Sequence, residues 1–98
     1  MKANAVLIDS KDNVVTVVRR IKKGEEVTYF YGGELRTICS VGEIPEWNKM
    51  SIADLAQGDE IIKYGEFIGV ATENIPSGEY TSHLNIKSLP RNYTAELK

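Results

Sequence analysis

The chain has one histidine, His83, among its 98 residues. An imidazole changes charge near neutral pH, so His83 is the candidate general acid, base or metal ligand. Lys49 and Lys63 are candidates for holding an anionic ligand, because an ammonium group offers a compact positive charge and three donors. The side-chain amide of Asn85 suits either of two tasks, orienting a ligand or satisfying backbone groups at a strand end. The sequence shows no nucleophile triad, no phosphate-cradling glycine loop and no carboxylate pair at metal-ligand spacing. Asp9/Asp12 and Asp59/Glu60 read as turn residues, and Arg19-Arg-Ile-Lys-Lys23 as a solvated strand end. Cys39, the single cysteine, excludes an internal disulfide and is expected to be a small, inert, buried side chain. So short a roster of reactive groups argues against an independent small enzyme.

Those residues must be positioned by a small all-β framework. A phrase recurs three times, as Ile21-Lys-Lys-Gly24-Glu-Glu-Val27, Leu55-Ala-Gln-Gly58-Asp-Glu-Ile61 and Ile75-Pro-Ser-Gly78-Glu-Tyr-Thr81. In each copy an apolar residue closes one strand, the glycine supplies a turn at positive φ, and a β-favouring residue opens the next strand. The intervals are unequal, which excludes a solenoid. Val14 to Val18, β-branched throughout, predicts a strand covered on both faces. Val27 to Tyr31 and Leu35 to Cys39 flank Gly32-Gly33 and predict a tight hairpin.

The second half begins at Ile44-Pro45 with a loop that carries Trp47. Ser51 as N-cap and Asp54 three residues on predict one short helical turn near 51–57, ended by Gly58. Ile61-Ile62 and Phe67 to Ala71 read as strands joined at Tyr64-Gly65, with Gly69 marking a close backbone approach or a bulge. Tyr80 to Leu89 reads as a final alternating strand. Residues 1–90 are expected to form a single domain and 91–98 a loose tail. The charge balance, 12 basic against 14 acidic residues, argues against a nucleic-acid or membrane surface as partner. The opening apolar run is too short for a signal-peptide core, so a cytoplasmic location is expected.

Ile44-Pro-Glu-Trp-Asn-Lys49, Asp54-Leu-Ala-Gln-Gly58, Lys63-Tyr-Gly-Glu-Phe-Ile-Gly69, Ala71-Thr72, Ile75 and Gly78-Glu79 together resemble the SAF-type domain of altronate and galactarate dehydratases. The resemblance extends to the small subunit of sulfolactate sulfo-lyase. It implies a mainly β, β-clip (SAF-like) fold. It also implies a two-part lyase whose large chain carries most of the catalytic apparatus, acts on an acidic sugar and uses a divalent metal such as iron or manganese. No cofactor is expected on this chain alone, and a homo-oligomer is the alternative assembly.

Where the family pattern has a His-Lys pair, this chain has Asn48-Lys49. Where the family has His-x-His-Asn, it has Ser82-His83-Leu84-Asn85. Lys49 and Asn85 match, while Asn48, Ser82 and Leu84 stand in histidine positions. The family also has a small residue where Trp47 stands. By resemblance, the working surface comprises Asn48, Lys49, Lys63, Ser82, His83 and Asn85, with Lys49 and His83 as the catalytic pair. A non-catalytic binding or assembly module that lost the family histidines is the other reading.

Overall fold

The computed structural model describes residues 3–88, in which nine short strands form three antiparallel sheets. The strands are β1 (Ala5–Val6), β2 (Val14–Val17), β3 (Glu26–Tyr31), β4 (Glu34–Cys39), β5 (Lys49–Ser51), β6 (Glu60–Lys63), β7 (Glu66–Ala71), β8 (Tyr80–Thr81) and β9 (Ile86–Ser88). Their orders are β1-β2-β5-β8, β3-β4 and β6-β7-β9. The expected tail, 91–98, lies outside the described residues.

β2 is buried on both faces, as its β-branched run predicts. Val15 and Val17 join a first core with Ala5, Ile21, Val27, Tyr29, Ile44 and Met50. Val14 points the other way, into a second core with Leu55, Ile61, Ala71, Ile75 and Ile86. Alternation along one strand thus ties two small cores together. Both hairpins are tight. Gly32 and Gly33 have φ of 56° and 89°, and Tyr64 and Gly65 have 61° and 70°, the paired positive values of a type I′ turn.

The three glycine corners are type II turns, and there is a fourth. Backbone N–H groups of Glu25, Asp59 and Glu79 donate to the carbonyls of Lys22, Ala56 and Pro76, and Asn48 donates in the same way to Pro45. The third residue of each turn is Gly24, Gly58, Gly78 or Trp47, all at positive φ. Ile44-Pro-Glu-Trp-Asn48 is therefore the same corner with tryptophan where the others have glycine. At φ 63° that tryptophan carries a backbone cost of about 1–2 kcal/mol. The corners clasp in pairs through bridges between Ile21 and Ile44 and between Leu55 and Ile75. Val17, Ile21 and Gly24 correspond to Ser51, Leu55 and Gly58 at an offset of 34 residues, as 24 to 58 shows. The domain is an internal duplication in which each half is a strand, a corner, a hairpin and a second corner.

Four expectations need correction. No helical turn forms at 51–57. The Ser51 hydroxyl donates to the Ala53 carbonyl, Ile52 N–H goes to Asn13, and Leu55 bridges Ile75, so cross-chain pairing takes the groups a helix would use. The final strand is not continuous, because a turn at Ser82–Asn85 separates β8 from β9. Cys39 is exposed, since β4 pairs only with β3 and leaves most of its side chains in solvent. Asp12 is a buried keystone rather than turn decoration. Its carboxylate accepts N–H bonds from Asp9, Tyr64 and Gly65, and so ties the first loop to the β6-β7 hairpin.

Candidate functional site

Lys49 opens β5 and lies between Thr16 on β2 and Thr81 on β8. These three share the sheet face turned toward the second core, because directly paired residues project to the same side. There a groove of about 250 Å³ is lined by Asn48, Lys49, Ile68, Tyr80, Ser82, His83, Ile86 and Ser88. Ile68 and Ile86 supply its apolar part and the others its polar groups. Two larger depressions, at Arg19–Glu25 and at Asp54–Ala56 with Asn74–Pro76, lie on the corners and hold none of the candidate residues.

Partial burial holds the Lys49 ammonium below its ordinary pKa, and the nearby charge of Lys63 pushes the same way. The Thr16 hydroxyl beside it is buried and has no hydrogen-bond partner among the described residues. Lys49 is therefore a cation held where charge is costly, a setting that an incoming anion would relieve. Lys63 does not line the groove; its ammonium lies 4.9 Å from the centre of the Tyr64 ring and acts on Lys49 through its charge. Asn48 is fixed from both sides. Its Oδ1 accepts from the Tyr80 hydroxyl at 3.1 Å and its Nδ2 donates to the Glu46 carbonyl at 2.9 Å.

The turn at 82–85 presents His83. Asn85 Oδ1 accepts the Ser82 N–H at 2.8 Å, while Asn85 Nδ2 donates to the Tyr80 carbonyl and to Glu79. Ser82 Oγ accepts the Leu84 N–H at 3.1 Å, and the Ser82 carbonyl accepts from Asn85 and Ile86. Asn85, at 8% exposure, thus commits its amide to the turn and does not line the groove. Strand alternation would have sent Ser82 and His83 to opposite faces. In a turn that constraint lapses, and both residues line the same groove.

The structure therefore brings Asn48, Lys49, Ser82 and His83 together, with Lys63 acting on Lys49 from outside the groove lining and Asn85 tied into the turn. Sequence reasoning missed Tyr80. One signal was available: Tyr80 follows the Ile75-Pro76 corner just as Lys49 follows the Ile44-Pro45 corner, two residues after each turn's positive-φ position. The duplication places both on neighbouring strands.

The residues present do not suit an iron or manganese ion. Among the described residues, no three His, Cys, Asp or Glu side chains come together. The groove offers a single imidazole next to a lysine whose charge repels a cation. Among the described residues no helix is long and apolar enough to cross a membrane.

Comparison with known proteins is consistent with this architecture. The family described as the altronate/galactarate dehydratase SAF domain matches residues 3–89. An altronate dehydratase of Bacillus subtilis is 31% identical over 83 residues; the match covers 85% of this chain but 16% of that enzyme. The (2R)-sulfolactate sulfo-lyase subunit alpha of Chromohalobacter salexigens is 33% identical over 91 residues, covering 90% of this chain and 97% of the subunit. The same domain thus occurs as a minor part of a long chain and as nearly all of a short one.

Proposed function

We propose a function from one premise: this chain belongs to the altronate/galactarate dehydratase SAF domain family. Its role is that of the small component of a sugar-acid dehydratase or related carbon–oxygen or carbon–sulfur lyase, contributing one wall of a site completed by a large catalytic chain. The observation that carries this reading is the groove itself. It gathers Lys49 and His83 from distant parts of the chain, yet its 250 Å³ falls short of the roughly 300–1,000 Å³ that encloses a ligand. We read the clasped corners as the β-clip that the family resemblance implies.

Elimination next to a carboxylate removes a proton from one carbon and a hydroxide, leaving as water, from the next. The dianionic intermediate needs positive charge close to the carboxylate. Lys49 supplies it, reinforced by Lys63, and Asn48 and Ser82 orient the hydroxyls of the acid. His83 exchanges the proton, within reach of a substrate lying across the groove. Asn85 positions the turn that carries it. Any divalent metal belongs to the large chain.

Co-expression with the large lyase chain tests the reading. A stable complex by size exclusion is expected, with turnover reduced about 10²-fold or more in both Lys49→Ala and His83→Ala. Failure to associate would refute it. A second reading has its own support, since Asn48, Ser82 and Leu84 replace the family histidines. Unchanged turnover in both variants, with the complex intact, would make the chain an assembly or binding module.

A further inference from the structure

Trp47 occupies the one corner position where a side chain is penalised. Three sister turns place glycine there, and this one holds an indole at φ 63°. The indole does not earn that place by packing. It is 65% exposed and belongs to neither core. The corner displays it rigidly, for Trp47 N–H donates to the Val17 carbonyl and Asn48 N–H to Pro45. Backbone strain kept at an exposed bulky residue points to a task outside the isolated domain.

Its neighbourhood says which task. The next residue, Asn48, lines the groove. A second large apolar side chain, Leu84 at 76% exposure, directly follows His83, which also lines it. Two exposed apolar residues are thus chain neighbours of residues that line the groove, and its 250 Å³ is below the roughly 300–1,000 Å³ of a pocket that encloses a ligand. Tryptophan is among the residues most enriched at binding hot spots, and apolar contacts around a polar centre keep solvent out.

We propose that Trp47, together with Leu84, is the anchor on which the large catalytic chain seats, sealing the groove from solvent. This rests on the two-part lyase reading above. A second copy of this chain is the competing occupant, but it would bury the groove and leave no room for substrate.

The test uses the full chain co-expressed with the large lyase chain and carrying a photoreactive p-benzoylphenylalanine at position 47 or, separately, at the groove residue 88. Irradiation followed by mass spectrometry is expected to join both positions to the large chain. Capture from 88 but not 47 would overturn the anchor and leave the lyase reading standing; capture from neither would overturn both. Crosslinking from 47 to a second copy of this chain would also overturn it. In parallel, Trp47→Gly is expected to weaken association at least tenfold without lowering the melting temperature of the isolated domain. A lower melting temperature with unchanged association would make Trp47 a structural residue and sink the proposal.

Discussion

Lys49 works against the fold, and on the reading proposed above it works for a ligand. Its pKa in the folded chain lies below the ordinary 10.5 because burial and Lys63 disfavour the charged form. The unfolded chain therefore binds more protons between those two values, and stability rises with pH across that window. Below it the full penalty of the charge is present. Lys49→Met should accordingly raise the melting temperature of the isolated domain at pH 7 and flatten its dependence on alkaline pH, measured by thermal unfolding. If the proposed function holds, the same variant in the complex should raise KM for the sugar acid by about 10–100-fold, the loss expected when a charged hydrogen bond to a carboxylate disappears. Improved stability with unimpaired binding would assign Lys49 no ligand role.

At the scale of elements, connections between loops matter as much as the strands. The Asp12 carboxylate receives three backbone N–H groups, and neighbouring Asn13 bonds Glu60 and Ile62 through its side chain. Asp12→Ala strands those donors and should cost about 3 kcal/mol in urea unfolding. Lys11→Ala, at the exposed neighbouring position, should stay within about 0.5 kcal/mol in the same measurement. Nothing in the sequence marked Asp12 as different from Asp9, since the Tyr64 and Gly65 N–H groups that it binds lie more than fifty residues away. The glycine corners and both hairpins were legible because positive φ favours particular residues, and Gly24, Gly32, Gly33, Gly58 and Gly78 advertise it. The Trp47 corner was hidden for the same reason, although Ile44-Pro45 repeats the Ile75-Pro76 opening of the Gly78 corner. The helical turn at 51–57 failed because a capping signal is local, while Leu55 is claimed by Ile75. Likewise, the groove's membership was visible at Lys49 and His83 by residue type, but the turn that unites Ser82 with His83 depends on Asn85 folding back onto Ser82.

For the whole molecule, the shared strand β2 makes the two cores one cooperative unit. Ile61→Ala, a truncation deep in the second core, should cost about 2–5 kcal/mol. That loss should be felt equally by a probe in the first core, such as the Met50 methyl signal followed through denaturation by NMR. Separate transitions for Met50 and a second-core reporter would show that the halves melt independently. The bridged corners have another consequence. Both walls of the groove belong to hydrogen-bonded strands or to a fully tied turn, so its dimensions are set before any substrate arrives. On the two-part reading proposed above, a groove fixed in this way would act as the jamb, and any flexing that admits an acid and releases the product would fall to the companion chain, the door.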